Sequence, residues 1–233
     1  MVATRSRAKM LIEAGSVRVN GMTVRKPAYD VNDQDVVTVE DALRYVSRGG
    51  LKLEEALKRF PVTVQGCVVL DIGASSGGFT DCLLQNGAVK IYAVDSGSGQ
   101  LAESLRRDKR VVCKENYNAR YMQSADFDAT PVLAVMDVSF ISQTLIFPAL
   151  VSVLPVGGIL ISLIKPQFEV GRAAVGRGGI VKDEKVRQKA ILRVKEQGIL
   201  YGLRCMDVIP SPILGGDGNH EYLAYFIKES ERV

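Results

Sequence analysis

Hydrophobic positions in this chain gather into short apolar runs, separated by turn residues and by stretches of helical period. The run 67–70 predicts a buried strand that ends on Asp71. A loop with Gly73, Gly77 and Gly78 follows, then an amphipathic helix carrying Phe79, Leu83 and Leu84 that stops at Asn86-Gly87. A second run, 91–94, predicts a strand ending on Asp95. Further strands are predicted over 111–114, 131–137, 159–164, 203–209 and 221–227, with a charged helix over about 183–197. Strand–helix alternation predicts an α/β fold with a mostly parallel sheet, of the doubly wound nucleotide-binding kind. Ahead of it, 4–14 predicts a helix with Ala8, Leu11 and Ile12 on one face, ended by Gly15. Residues 16–24 alternate around Asn20-Gly21, a hairpin signal, and 36–39 predicts another strand. Ser47, Gly49 and Gly50 precede a helix with Leu53, Ala56, Leu57 and Phe60 on one face. The Gly- and Arg-rich stretch 170–182 predicts a mobile loop.

Residues 138–164 contain no charge and are long enough to raise the question of a membrane span. Pro148, Pro155, Gly157 and Gly158 break the run into a helix, a turn and a strand, which predicts sheet core instead. The first residues are charged and lack an apolar signal core. A chain of 233 residues with 47% hydrophobic and 24% charged residues has room for one large domain, or a domain plus a small appendage. Net charge is +4, unevenly spread. Residues 1–26 carry Arg5, Arg7, Lys9, Arg18, Arg25 and Lys26 against Glu13 alone, a net +5 that leaves −1 for the remainder. A basic end on a near-neutral body points to an anionic partner, nucleic acid first, with a solvated basic face as the alternative. Cys67, Cys82, Cys113 and Cys205 show no paired spacing, which predicts buried free thiols in a reducing, cytoplasmic compartment. With His220 the one histidine, neither a His-based metal site nor a Ser-His-Asp triad is expected.

The glycine loop narrows the ligand. A pyrophosphate-binding loop needs Gly-x-Gly-x-x-Gly, so that phosphates can approach backbone N–H groups. Here the spacing is Gly73-x-x-x-Gly77-Gly78, and the Asp71 carboxylate directly before it should repel pyrophosphate. It suits a cofactor with an ammonium and a sulfonium, which S-adenosylmethionine (SAM) carries, and Asp95 could accept from the ribose hydroxyls. The expected cofactor shell is Asp71, Gly73, Ala74, Ser75, Gly77, Gly78, Phe79 and Asp95, with Glu115 and Asn116 where adenine would lie. The alternative is a Gly-rich turn in a nucleotide fold with a different ligand. Asp137 and Lys165, at the ends of the fourth and fifth strands, are candidates for chemistry by position.

Arg7-x-x-x-Leu-Ile-x-x-Gly15-x-Val-x-Val-Asn-Gly21 resembles the S4 RNA-binding domain. An S4 domain begins with one more helix, so the resemblance implies an incomplete module over 1–43, followed by a second domain over 44–233. Seven motifs in order are similar to the TlyA-type haemolysin family. They are Ser47-Arg-Gly-Gly-Leu-Lys-Leu, Asp71-Ile-Gly-Ala-Ser-Ser-Gly-Gly-Phe-Thr-Asp-Cys, Tyr92-Ala-Val-Asp, Asn118-Ala-Arg, Met136-Asp-Val-Ser-Phe-Ile, Ile164-Lys-Pro-Gln-Phe-Glu and Asn219-His-Glu. The resemblance implies an S4 domain joined to an FtsJ-like Rossmann methyltransferase, which methylates ribose 2′-hydroxyls of ribosomal RNA from SAM. It further implies ribosomal RNA or ribosomal subunits as partners, without stable membrane association. The family's Lys-Asp-Lys-Glu tetrad falls on Lys52, Asp137, Lys165 and Glu221. Lys165 then acts either as a neutral base or as a cation beside the forming alkoxide. Two other readings stay open at this point: a SAM- or RNA-binding protein with weak or lost catalysis, and a membrane-active haemolysin.

Overall fold

Two hydrophobic periods build two kinds of element here. A computed structural model describes residues 5–39 and 44–229, without the side chains of residues 6, 7, 10, 14 and 172. The helical period gives α1 (Arg5–Ala14), which buries Leu11 and ends at Gly15, where φ is +80°. Strands β1 (Val17–Val19) and β2 (Met22–Val24) pair antiparallel about Asn20 and Gly21. Both turn residues have positive φ, as the tight turn requires. Strand β3 (Val37–Val39) pairs with the other side of β1, also antiparallel. The expected division between 43 and 44 abuts residues 40–43, which lie outside the described residues.

Beyond it come α2 (Gly49–Arg59), β4 (Val68–Ile72), α3 (Gly78–Gln85), β5 (Lys90–Val94), α4 (Glu103–Arg106) and β6 (Val111–Lys114). Then follow β7 (Leu133–Met136), α5 (Phe147–Val153), β8 (Ile159–Ile164), α6 (Pro166–Glu169), α7 (Glu184–Leu200), β9 (Leu203–Pro210) and β10 (Tyr222–Lys228). The second sheet has the order β6-β5-β4-β7-β8-β10-β9. It is parallel from β6 to β8, and β10 runs antiparallel to both of its neighbours. No helix separates β9 from β10, and without a crossover two adjacent strands must pair antiparallel. The chain switches direction across the sheet between β4 and β7, where open α/β sheets bind ligands.

Strand alternation then assigns a face to every strand end. Val69, Ile91, Leu133, Val135, Ile161, Leu163, Leu223 and Tyr225 pack on the face covered by α2 and α3. Leu70, Ile72, Tyr92, Met136, Leu160, Ile164, Ala224 and Phe226 pack on the opposite face, with Phe147 and Leu150 of α5 and Val194 of α7. Within the uncharged run 138–164, α5 and β8 supply core, as its prolines and glycines predicted, while Ser139 and Phe140 ahead of them are exposed. The expected loop 170–182 holds two short 3₁₀ turns, Arg172–Ala174 and Arg177–Gly179. The expectation of buried thiols needs correction: Cys82 is buried, while Cys67, Cys113 and Cys205 are partly exposed, and all four are free.

Candidate active site

Continuing the alternation one residue past β7 and β8 sends Asp137 and Lys165 to the face that α2 covers. On β10 the same parity sends Glu221 there, since Leu223 and Tyr225 share it. The register Tyr222↔Ile164 runs the start of β10 beside the end of β8. Helix α2 brings Lys52 across the same face on its buried side, with Leu53 and Ala56. The four residues meet as two ion pairs. Lys52 Nζ lies 2.6 Å from Glu221 Oε2, and Lys165 Nζ lies 2.6 Å from Asp137 Oδ1. Lys165 gives its aligned hydrogen bond to Ser139 Oγ, at 2.8 Å. Lys52 and Glu221 are 8% and 4% exposed, so each supplies the compensation that the other's buried charge needs.

Two cavities open here. One, of about 260 Å³, is lined by Arg48, Lys52, Phe79, Asp137, Ser139 and Lys165, among others. The other, of about 510 Å³, is walled by Asp95, Gly97, Gln100, Tyr117, Asn118 and Ile146, among others. Gly73, Ser75, Asp137 and Ser139 line both, so the cavities adjoin at the end of β4. The larger lies within the range of small-molecule and cofactor sites.

Two glycines, Gly73 and Gly97, stand in the wall of the larger cavity. Gly73 has φ +83°, and a Cβ there would come within 2.4 Å of the Asp137 carbonyl oxygen, so the loop can pass in this place on glycine alone. Asp95 accepts from the backbone N–H groups of Ser75 at 2.8 Å and Gly97 at 2.7 Å. Its carboxylate thereby ties the loops after β4 and β5 together at the cavity wall. A ribose diol fits a carboxylate held in this way, and the glycine-shaped cradle admits a close-lying ligand, so these residues fit SAM.

Other expected cofactor residues take different places. Asp71 is fully buried and lines neither cavity. It accepts a 2.6 Å hydrogen bond from Thr80 Oγ1, and burial pushes its carboxyl up to about 7, with Asp137 adding to the rise and Thr80 opposing it. Gly77 also lines neither cavity: its φ is +95°, and a Cβ would come within 2.2 Å of Leu105 Cδ1. Gly78 serves the approach of α3 to α2, where a Cβ would meet Ser47 Oγ at 2.2 Å. Ala74, Gly78 and Phe79 line the smaller cavity and not the larger.

Glu115 and Asn116 line neither cavity, whereas the following residues Tyr117, Asn118 and Ala119 line the larger one. The Glu115 carboxylate faces its own scaffold, accepting from the N–H groups of Gly99, Gln100 and Leu101 and from Arg106. The Gly99 N–H leads the donors that bring its carboxyl down to about 2. Sequence reasoning missed Ser139 and Phe140, although both sit in a motif it singled out. Phe140 is 92% exposed with φ +65°, a backbone conformation that large side chains rarely adopt. Its ring lies 5.3 Å from that of Phe168.

Of the basic N-terminal residues, Arg5, Lys9, Arg25 and Lys26 are exposed and Arg18 is half-buried, while the Arg7 side chain lies outside the described residues. Lys9 lies 3.8 Å from Glu13. Among the described residues, no group of three or more potential His, Cys, Asp or Glu metal ligands is gathered.

Comparison with known proteins agrees with this geometry. The FtsJ-like methyltransferase model matches residues 45–228, and the S4 domain model matches 1–37. YqxC of Bacillus subtilis (strain 168) is 49% identical over 97% of this chain and 81% of its own length. The 16S/23S rRNA (cytidine-2'-O)-methyltransferase TlyA of Mycobacterium tuberculosis (strain ATCC 25618 / H37Rv) is 41% identical over 100% of this chain and 88% of its own. A solved structure of a hemolysin-like protein from Streptococcus thermophilus superposes with a TM-score of 0.82 at 45% identity, covering 99% of this chain and 85% of that one. The chain belongs to the FtsJ-like methyltransferase family, in the TlyA-type branch that joins this domain to an S4 domain.

Proposed function

We propose that this protein transfers the methyl group of SAM to a ribose 2′-hydroxyl of ribosomal RNA. The observation that carries the reading is the meeting of Lys52, Asp137, Lys165 and Glu221, from four separate elements, beside the wall shared by the two cavities. The larger cavity holds the cofactor: Asp95 takes the ribose, the Gly73–Ser75 turn takes the methionine end, and Tyr117 and Asn118 flank the adenine. SAM supplies an electrophilic methyl group. The smaller cavity takes the acceptor ribose, whose hydroxyl is a weak nucleophile that needs a base or a cation beside it. Lys165 is placed for either role, and Asp137 and Ser139 aim it. Lys52, held by Glu221, supplies a second ammonium on the other side. Holding the 2′-oxygen in line with the methyl group supplies much of the remaining rate. The exposed Phe140 ring gives an unpaired base a face to stack on, as single-stranded RNA recognition requires.

This reading divides the chain into an RNA-anchoring part, 1–43, and a catalytic part, 44–233, and places its work in the cytoplasm on ribosomal subunits. It also accounts for a haemolysin-type relative without lysis. Among the described residues no helix is long and apolar enough to cross a membrane. The test is transfer of tritiated methyl groups to purified ribosomal subunits, followed by alkaline hydrolysis of the RNA. Label in hydrolysis-resistant dinucleotides supports 2′-O-methylation. Label in mononucleotides alone, or no label from either subunit, refutes it.

A further inference from the structure

The motif Lys165-Pro166-Gln167-Phe168-Glu169 follows β8, and the mechanism above uses its first residue alone. Glu169 is 2% exposed. A carboxylate so buried persists where donors satisfy it. Its donors come from one place. Ser142 Oγ donates to Oε2 at 2.6 Å, and the Gln143 N–H donates to Oε1 at 3.0 Å. Both belong to loop 137–145, the loop that sets Asp137 and Ser139 against Lys165. On the other side, Arg193 of α7 donates to the Glu169 carbonyl oxygen at 2.6 Å, which anchors the turn to the body of the domain.

A second tie joins the same loop to β8, where Ser162 Oγ donates to Gln143 Oε1. Lys165 therefore lies between two residues, Ser162 and Glu169, that grip the same neighbouring loop. Glu169, Gln143 and Ser162 line neither cavity, so none of them touches the acceptor or the cofactor there. The lysine side chain is long and flexible. Its aim comes from Asp137 and Ser139, and their position comes from the loop that Glu169 holds.

The geometry points to Glu169 as a positioning residue for methyl transfer: its buried carboxylate locks loop 137–145 against the turn after β8, and so fixes the Lys165 ammonium where the two cavities meet. The inference rests on the methyl-transfer reading above. A lysine displaced by about an ångström costs on the order of 10²-fold in rate. Conservative replacement should preserve the lock. A glutamine amide oxygen can accept from the Gln143 N–H while its NH₂ donates to Ser142 Oγ, which has lone pairs to receive it.

The experiment uses the full chain with Glu169→Ala, Glu169→Gln and Ser142→Ala, measuring kcat and KM for purified ribosomal subunits at saturating SAM, and SAM Kd by calorimetry. Glu169→Ala should lower kcat roughly 10- to 100-fold, with KM and SAM Kd within about threefold of wild type. Glu169→Gln should return kcat to within about threefold of wild type, and Ser142→Ala, which removes one of two ties, should fall between. Wild-type kcat in Glu169→Ala, with a lowered melting temperature alone, makes Glu169 a plain scaffold residue and overturns the inference. So does a Glu169→Gln defect equal to that of alanine. If Glu169→Ala does not fold, Ser142→Ala decides, and an unchanged kcat overturns the inference. A wild-type protein that transfers no methyl group overturns the underlying reading and this inference together, whereas active wild type with unaffected variants overturns the inference alone.

Discussion

The two cavities share a wall yet are built in opposite ways. The larger cavity, proposed for the cofactor, is made of loops after four neighbouring strands, β4, β5, β6 and β7, with Gly73 and Gly97 in its wall. One of its two carboxylates, Asp95, is clasped by main-chain N–H groups, and the other, Asp137, is shared with the smaller cavity. The smaller cavity, proposed for the acceptor, is lined by the charged side chains of Arg48, Lys52, Asp137 and Lys165, with Glu221 paired to Lys52 behind the wall. Those charges pair among themselves, each lysine with one carboxylate, so the constellation holds together before a substrate arrives. A cradle of main chain is a local property of a motif. A constellation of side chains is a property of sheet order and register, and it can lose its chemistry without losing its shape.

That difference gives the largest predicted effect. Lys165→Ala removes a group that faces the acceptor and leaves the backbone of the cofactor cavity in place. Methyl transfer should fall about 10²- to 10⁴-fold, the usual contribution of a positioned acid or base, with SAM affinity nearly unchanged. Single-turnover methylation beside calorimetric SAM titration checks both halves. A wild-type rate would leave Lys165 a solvated strand-end charge and dissolve the distinction between the cavities.

Asp95→Ala is the converse break. A hydrogen bond to a charged group contributes about 1.5–3 kcal/mol, so the SAM Kd should rise roughly 10- to 150-fold. The two N–H groups that Asp95 holds are released as well, which adds to the loss. At saturating SAM the methyl-transfer rate should recover most of its wild-type value. A rate that stays low at saturation would show that Asp95 also shapes the acceptor side.

The same contrast explains what could be read from sequence. Buried parallel strands are apolar throughout, so the ends of β4, β5, β6 and β8 were legible to within a residue or two. The antiparallel insertion of β10 between β8 and β9 was not, because strand order depends on contacts between distant segments. Asp137 and Lys165 were legible as strand ends. Lys52 and Glu221 entered through the family motifs, since their burial beside each other appears in the fold alone. Ser139 lay in a quoted motif without a role. Asp71, Gly77 and Glu115 were read as cofactor contacts because they flank the loops that make the cavity. A carboxylate or glycine that builds a loop looks, in sequence, like one that touches its ligand.

Gly77→Val sharpens that last point. With Gly77 counted in the cofactor shell, as the sequence suggests, valine would fill cofactor space. The structure has it colliding with Leu105 and Leu101 at a backbone angle that disfavours any side chain. Stability should fall by about 1–3 kcal/mol, as overpacking typically costs, and SAM affinity should fall because the loop moves. Chemical denaturation with Leu105→Ala added distinguishes the two accounts. Relief of the collision recovers part of the loss, a coupling between contacting residues. If the double variant is no better than the sum of the singles, valine is clashing elsewhere.

A last break lies beneath the wall the cavities share. Asp71 belongs to neither, and its carboxyl is held near 7 by burial, far above its ordinary 3.8. An acid whose folded value is raised retains its proton in the native state while the unfolded chain releases it. Its contribution to stability is fully present below about pH 4 and is lost as pH climbs toward 7, with a slope of at most about 1.4 kcal/mol per pH unit. Asp71→Asn cannot ionise, so its stability should be flatter across that window, whatever its absolute value. Other carboxyls titrate in both proteins, among them Glu169, which burial raises, and Glu115, which backbone donors lower. The difference between the two stability curves isolates Asp71. Urea midpoints at half-unit pH intervals from 4 to 8 supply it. Parallel curves would mean that Asp71 is ionised in the native state throughout, which needs a cation beside Oδ1, an atom without a hydrogen-bond partner in this structure. The carboxylate would then face a charge from the cofactor side after all, and the line between a loop-building and a ligand-facing acid would have to be redrawn at the end of β4.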